Sequence, residues 1–242
     1  MNRLCENEIQ CSTKFKFTNH FCSMLQTHFF TFNPFQENTY ILFDETNECV
    51  IIDPGCSDDA ERNELTQFIS TNKLNPVLLI NTHSHLDHML GNSFIKQTYN
   101  IPFLLHKNEL PILHSAVETG RKYGVVITPS PEPDRFIEDE EIVPFGKTAL
   151  KTLYTPGHAP GEVSFYHAES KTLIAGDVLF NGSIGRYDFP LSDYETLMQS
   201  IFKKLLVLPD DVTVYCGHGP KTTIGKERRN NSYLLEYAEG LK

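Results

Sequence analysis

The chain has 242 residues, of which 40% are hydrophobic and 21% are charged, and its formal net charge is −10. This length suffices for one sizeable core or two small domains. The basic residues form no long run, which argues against a duplex-binding face, and we expect no nucleic-acid partner. No apolar run approaches the roughly 20 residues of a membrane-spanning helix, and the first twenty residues lack the apolar stretch of a secretory signal. We therefore expect a cytoplasmic protein without a membrane partner.

Strand and helix signals alternate along the chain after residues 1–23, which lack periodicity and are predicted to be a loosely attached extension. Ser57 is the expected N-cap of the first helix, and Asp87 that of the second. The predicted elements are strands at 27–32 and 38–43, a strand from 49 that ends at Pro54–Gly55, a helix at 57–72, a strand at 77–82, a helix at 87–99, a strand at 101–106, a helix at 107–123, a proline-rich loop at 128–134, strands at 149–154, 162–168 and 171–175, a helix at 193–206, a strand at 211–217 and a helix at about 226–239. Strands in both halves with helices between them predict two sheets packed face to face, with helices outside.

The stretch THSHLDH contains the motif H-x-H-x-D-H, which places His83, His85, Asp87 and His88 within six positions. Its spacing is demanding, and it lies where a predicted buried strand ends and a helix begins. Loops at strand ends, held by a rigid scaffold, are common positions for ligand-binding residues. The motif therefore predicts a metal site.

One loop cannot surround an ion, so further ligands must come from elsewhere in the chain. Three candidates are His158 in TPGHAPG, Asp177 in AGDVLF and His218 in CGHGP. Each follows a predicted strand and is flanked by glycine, which permits close backbone approach. Imidazole and carboxylate ligands suit zinc, with iron or manganese as alternatives, and no thiolate is required.

These motifs resemble those of the metallo-β-lactamase superfamily, specifically its short glyoxalase II-like hydrolases. The similarity runs in order from about residue 25 to about residue 235 and includes DPG, THSHLDH, TPGHAPG, AGDVLF, GRYDFP and GHGP. It implies an α/β (α+β) fold, an αββα sandwich of two mixed β-sheets flanked by helices, with residues 24–242 as a single hydrolase domain. It also implies a two-metal site at the edge of the sheets.

The resemblance distributes the candidate ligands between two divalent ions. One ion would be held by His83, His85 and His158, the other by Asp87, His88 and His218, and Asp177 would bridge them. Asp87 and Asp177 are the predicted catalytic carboxylates.

Two further residues near these motifs, Asp53 and Arg186, each have two possible roles. Asp53 in IIDPG either orients a ligand histidine from behind or simply forms a turn before proline. Arg186 in GRYDFP either contacts an anionic substrate or braces its loop through Asp188.

The remaining histidines and the cysteines are expected to have structural roles. Without a CxxC pair or an export signal, the cysteines are predicted to be free thiols. Cys216 is interpreted as a small strand residue, and for Cys56 a redox-sensitive thiol is an alternative. The histidines expected on the surface or in core packing are His20, His28, His106, His114 and His167; the cysteines are Cys5, Cys11, Cys22, Cys49, Cys56 and Cys216.

The resemblance implies hydrolysis of a small-molecule thioester, such as S-lactoylglutathione or another S-acyl thiol, by attack of a metal-bridging hydroxide. The chain ends about twenty residues beyond GHGP, without the C-terminal helical region that contacts glutathione in typical glyoxalase II. The thiol carrier is therefore left open.

Several other activities share the motif. The principal alternative is a persulfide dioxygenase with one iron held by His83, His158 and Asp177. β-Lactam hydrolysis is disfavoured because those zinc enzymes generally have Cys where this chain has Asp177. A flavodiiron protein is disfavoured by His85, where that group has Glu, and RNA processing by the lack of an added nucleic-acid domain. A binding module with structural metals is the non-catalytic alternative.

Overall fold

Strands and helices alternate along the chain, as the sequence patterns predict. The computed structural model describes residues 25–240, so the predicted extension at 1–23 lies outside the described residues. The strands are β1 (Gln26–Phe32), β2 (Glu37–Phe43), β3 (Glu48–Ile52), β4 (Asn75–Ile80), β5 (Phe103–Leu105), β6 (Arg135–Phe136), β7 (Ile142–Phe145), β8 (Thr148–Tyr154), β9 (Val163–His167), β10 (Thr172–Gly176), β11 (Leu179–Phe180), β12 (Ser183–Ile184), β13 (Thr213–Cys216) and β14 (Thr222–Thr223). The helices are α1 (Asp59–Thr71), α2 (Leu86–Met89), α3 (Asn92–Tyr99), α4 (Leu110–Tyr123), α5 (Tyr194–Ser200), α6 (Ile224–Asn230) and α7 (Ser232–Gly240).

The strands form two mixed six-stranded sheets and one small hairpin. The first sheet has the order β1-β2-β3-β4-β5-β6, and the second has the order β14-β13-β10-β9-β8-β7. In the first sheet β3 to β6 run parallel, while in the second only β10 and β13 pair in parallel. β11 and β12 form the hairpin.

Side chains that alternate along the central strands divide the core into layers, because successive residues of a strand point to opposite faces. In β3, Val50 and Ile52 belong to the buried cluster between the sheets, together with Phe165 of the second sheet. Cys49 and Ile51 belong to the cluster that packs beneath the helices of the first sheet. A third cluster joins β10 and β13 to α5. The predicted αββα sandwich is confirmed.

No helix within residues 25–240 combines the length and the apolarity needed to cross a bilayer.

The predicted helix at 87–99 is wrong in one respect, because the chain forms two helices, α2 and α3, instead of one. The Gly91 N–H donates to the Pro54 carbonyl at 2.7 Å. A Cβ at Gly91 would lie 2.5 Å from Cys56 Sγ, so only glycine permits this approach. Asp87 is also not an N-cap: it lies in the first turn of α2, whose N-cap residue is His85.

Two other helix boundaries differ from the prediction. The N-cap of α1 is Asp58, whose side chain accepts from the Glu61 N–H, whereas Ser57 bonds to the Glu61 carboxylate. The last predicted helix is divided at Asn231, whose side chain donates to the Ser183 carbonyl and to Glu227. These tertiary contacts hold the backbone of Asn231 in an extended conformation between α6 and α7.

A direct hydrogen bond joins the two sheets next to the loop that follows β13. The Tyr40 hydroxyl on β2 donates to the Cys216 carbonyl at 2.5 Å, and the Asn38 side chain donates to the same carbonyl at 3.0 Å. This carbonyl lies two residues before His218, so the bonds link the first sheet to a predicted ligand loop.

We expect Tyr40→Phe to destabilise the metal-free protein by about 1 kcal/mol, the typical net value of one hydrogen bond. Asn38 still satisfies the carbonyl, so no buried acceptor is left without a partner. For a chain of this size the melting temperature should fall by roughly 3 °C. Thermal unfolding checks this, with Tyr233→Phe, an exposed tyrosine, as the control; equal midpoints for both variants would contradict the expectation.

Candidate metal centre

The seven predicted ligands meet at one edge of the sandwich, where strands of both sheets end. Four of them lie in the segment between β4 and the end of α2, and one each follows β8, β10 and β13. Two clusters of possible ligands form there: the first ligand group is His83, His85 and His158, and the second ligand group is Asp87, His88 and His218. Within each group, the ligand atoms lie within 4.8 Å of one another.

In the first ligand group, a hydrogen bond to a main-chain carbonyl fixes the direction of the His158 lone pair. His158 Nδ1 lies 2.8 Å from the Arg186 carbonyl, which can only accept, so this nitrogen carries the proton. His158 Nε2 therefore presents a lone pair, and it lies 2.8 Å from His85 Nδ1. Burial, followed by the neighbouring His158 ring, lowers the pKa of His85 to about 3. Burial also lowers the pKa of His83 and His158, so all three rings are neutral at pH 7, as metal ligands must be.

The second ligand group shows the same arrangement. His218 Nδ1 faces the carbonyls of Phe35 and Gln36 at 3.1 and 3.2 Å, and His88 Nδ1 lies 3.1 Å from Asp53 Oδ2. The Nε2 atoms of the two rings then face each other at 3.3 Å. A cation between these two nitrogens, either a proton or a metal ion, removes the repulsion of their lone pairs. Burial lowers the pKa of His88, but the carboxylates of Asp177 and Asp87 outweigh burial and raise it well above its usual value, so their field favours a cation here.

Asp177 lies between the two groups. Its Oδ2 is 3.5 Å from Nε2 of both His158 and His218, and its Oδ1 is 3.5 Å from His88 Nε2. Burial raises the pKa of Asp177, but His88 and the other imidazoles outweigh it and hold that pKa well below its usual value. Asp177 is therefore ionised at neutral pH.

Two buried atoms of the centre have no hydrogen-bond partner among the described residues: Asp177 Oδ1 and His83 Nε2. A buried polar atom without a partner costs free energy, and here each atom points into the ligand cluster. These atoms, the facing ring nitrogens and the imidazole and carboxylate donor set fit borderline divalent metals such as zinc or iron.

Asp53 supports the second ligand group from behind. It forms a third possible cluster with His83 and His88. Its oxygens, however, already accept from the Thr82 amide at 2.7 Å, the Thr82 hydroxyl at 2.6 Å and the Asn81 side chain at 3.2 Å. The contact with His88 matches the orienting interpretation, and the positive φ of 49° at Asp53 shows that it also forms a strained turn.

Three buried glutamates surround the centre and escape the sequence analysis. Glu162 accepts the Asp177 N–H at 2.7 Å, and Glu109 accepts the N–H groups of Ser84 and Gly161. Glu37 lies 4.0 Å from His88 Nδ1, and burial raises the pKa of both Glu37 and Glu162 well above the usual value. Glu162 begins the predicted strand 162–168 as its one charged residue, which is an available signal, whereas Glu37 lies in the turn before the predicted strand 38–43 and gives none.

A cavity of about 580 Å³ opens onto the ligand cluster. One wall is the face of α4 that carries Ile112, and the other is the loop after β12, including Phe189. The Phe189 ring lies 5.1 Å from the His85 ring and 5.8 Å from the His158 ring, so it covers the first ligand group. Sequence reasoning did not single out Phe189, although it lies in the GRYDFP motif.

Arg186 also lines this cavity, with an exposed side chain. Its guanidinium makes two hydrogen bonds to Asp188, at 2.9 and 2.8 Å, and lies 4.1 Å from the Phe189 ring centre. The structure thus shows the bracing contact, while a substrate contact stays a prediction.

The histidines and cysteines that were expected to have structural roles either have partners outside the ligand groups, are buried thiols, or lie outside the described residues. Four histidines interact away from the ligand groups: His28 with Phe68, His106 with Tyr154, His114 with Glu132 and His167 with Thr148. Cys49, Cys56 and Cys216 are buried free thiols. Burial raises the pKa of Cys56 to about 12, which argues against the redox-sensitive alternative. His20, Cys5, Cys11 and Cys22 fall in the part of the chain that is not described.

The fold and this cluster define a class of metal-dependent hydrolases. The chain matches the metallo-beta-lactamase superfamily over residues 32–218 and belongs to it. It is 40% identical over 202 residues to the hydroxyacylglutathione hydrolase GloC of Haemophilus influenzae, a match that covers 83% of this chain and 93% of the relative. The predicted family and its glyoxalase II-like character are confirmed.

Two solved structures are similar to the chain. One is the BLEG-1 B3 metallo-beta-lactamase, at 36% identity and a TM-score of 0.80, covering 86% of this chain and 99% of that one. The other is TTHA1623 in a di-iron-bound form, at 37% identity and a TM-score of 0.78, covering 86% and 100%.

We expect Asp177→Ala to lower metal binding at both ligand groups, because one side chain lies between them. After dialysis, elemental analysis should find less than about half of the wild-type metal content, and metal-dependent turnover should disappear. His114→Ala is the matched control, since this exposed ring contacts Glu132 instead of a ligand. Wild-type metal content in Asp177→Ala, or a loss in His114→Ala, would contradict the assignment.

Proposed function

We propose that the protein is a binuclear metal-dependent hydrolase of thioesters, such as S-lactoylglutathione or another S-acyl thiol. The observation that carries this proposal is the pair of ligand groups with Asp177 between them at the floor of one cavity. Each group supplies three donors, and Asp177 has an oxygen for each. The 40% identity to GloC, a hydroxyacylglutathione hydrolase, supports the choice of substrate.

In this proposal, zinc is the favoured metal, with iron or manganese as alternatives. Bound divalent ions act as Lewis acids toward a carbonyl and lower the pKa of water toward neutrality. No serine or cysteine nucleophile is therefore needed, and the described cysteines are buried thiols.

Asp87 and Asp177 are the proposed catalytic residues, because theirs are the carboxylates that line the cavity. Burial raises the pKa of Asp87, but His88 and His218 outweigh burial and lower it below its usual value. Since the pKa of Asp177 is lowered as well, both carboxylates are ionised at neutral pH, as ligands of the ions that would activate water must be. Phe189 and Ile112 contribute apolar walls that exclude bulk water around the thioester.

The cavity also favours a substrate with a negative charge at one end. Apart from Asp87 and Asp177, the charged Asp, Glu, Lys and Arg side chains that line it in residues 25–240 are Lys122 and Arg186. Both are exposed in a chain whose net charge is −10, and each also has an exposed carboxylate partner, Glu118 for Lys122 and Asp188 for Arg186. A thiol carrier with carboxylate groups would meet these cations while its thioester reaches the metal ligands.

Purified protein loaded with zinc, and separately with iron, should hydrolyse S-lactoylglutathione with a kcat in the usual range of about 1–10³ s⁻¹. A chelator should abolish this activity, and added metal should restore it.

Two parallel assays address the competing activities. The similarity to BLEG-1 makes β-lactam hydrolysis a second candidate, measured with a chromogenic cephalosporin. Oxygen uptake with a persulfide measures dioxygenase activity. A higher kcat/KM for the cephalosporin, or oxygen consumption by a one-iron protein, would refute the thioesterase proposal.

We expect Lys122→Ala to raise KM for a glutathione thioester roughly two- to fivefold with kcat unchanged, since one exposed ion pair contributes at most about 1 kcal/mol. The same variant should not change KM for an uncharged thioester of N-acetylcysteamine. Lys147→Ala, which removes a surface lysine paired with Glu45, is the matched control. An equal effect on both substrates would show that Lys122 does not contact the carrier's charge.

A further inference from the structure

Glu109 is a completely buried carboxylate just before α4, and it belongs to neither ligand group. Its Oε2 accepts the Ser84 N–H at 2.7 Å, and its Oε1 accepts the Gly161 N–H at 2.6 Å. Both oxygens thus bind main-chain groups from two different loops.

These two loops are the ones that supply the first ligand group. Ser84 lies between His83 and His85, while Gly161 lies three residues after His158. Glu109 therefore connects the pair of histidines on one loop to the single histidine on the other. The second ligand group draws His218 from a different loop, after β13, that Glu109 does not contact.

The contact is tightly packed as well as hydrogen-bonded. A Cβ at Gly161 would lie 2.8 Å from the Glu109 backbone nitrogen and 2.9 Å from both Glu109 Cγ and His106 Nδ1. Real Cβ atoms do not approach a backbone atom this closely, so the loop holds this position only with glycine.

Burial of this carboxylate carries a free-energy cost that simple packing would not require. Burial raises the pKa of Glu109 to about 7, although the amides of Gly161 and Ser84 pull it down. An apolar side chain of similar size would fill the same space without that cost, but it could not accept two N–H groups. A carboxylate at this buried position is therefore explained by its hydrogen bonds to the two loops.

We propose that Glu109 is a positioning residue that sets the distance between His83 and His85 on one loop and His158 on the other, and so controls the affinity of the first ligand group for its ion. The inference rests on the proposed two-metal centre. A change at Glu109 should therefore alter the affinity of the first ligand group for its ion more than the affinity of the second ligand group.

The test is a zinc titration of the metal-free protein in competition with a chromophoric chelator. Glu109→Gln keeps the shape of the side chain but replaces one acceptor oxygen with an amide NH₂, which cannot accept an N–H. We expect one of two binding steps to weaken 10–100-fold, the size typical for residues that support metal ligands, and the other to change less than about threefold.

Single-ligand backgrounds assign the affected step. In His218→Ala, which disables the second ligand group, Glu109→Gln should still weaken the remaining step. In His158→Ala, which disables the first, it should have no further effect. Gly161→Ala disturbs the same contact from the other loop, so it should also weaken zinc binding at the first ligand group more than at the second. It replaces Glu109→Gln in the titration if that variant does not fold.

Glu227→Gln is the matched control, because Glu227 is also buried and accepts a main-chain N–H, from Gly182 at 2.8 Å. It should lower thermal stability without changing either zinc affinity. Equal weakening of both steps by Glu109→Gln, or unchanged zinc binding, would overturn the role of Glu109 alone. Wild-type protein that binds fewer than two zinc ions would overturn the two-metal proposal itself.

Discussion

Hydrogen bonds from loop amides to buried carboxylates hold the candidate centre together. Asp53 accepts the Thr82 N–H, Glu109 accepts those of Ser84 and Gly161, and Glu162 accepts that of Asp177. The amides belong to loops that follow strands of both sheets, so the bonds fix the ligand loops relative to one another. A buried amide left without a partner would be costly, so these bonds stabilise the positions of the loops.

Several buried carboxylates at the centre would each cost free energy if ionised without a nearby cation. Burial raises the pKa of Glu37 and Glu162 well above the usual value, whereas imidazoles hold that of Asp177 well below it. Buried negative charge is tolerated when it is paired or coordinates a metal. Divalent ions at the ligand groups would supply that compensation for the fold as well as reactivity for the substrate.

The sequence predicts the metal ligands better than the residues that hold the ligand loops in place, because the ligands follow local patterns and the other residues depend on tertiary contacts. The H-x-H-x-D-H spacing and the glycine-flanked strand ends are local features, and they identify the six residues of the two ligand groups and Asp177 between them. Glu109 lies in the first turn of the predicted helix 107–123, where no local pattern marks it as buried, and only the tertiary fold buries it. Likewise, the break at Gly91 depends on Pro54 and Cys56, which are remote in sequence.

Selectivity must come from the cavity walls, because the ligand groups at its floor would activate water toward any carbonyl that reaches them. The walls are built from different elements than the floor: α4 on one side and the loop with Phe189 on the other. Arg186 braces that loop through Asp188 and Phe189, and its carbonyl accepts from His158, so the loop is coupled to the first ligand group. Changes on α4 can therefore alter the accepted substrate with the metal-binding loops kept constant, whereas changes at Arg186 or Phe189 also affect the first ligand group.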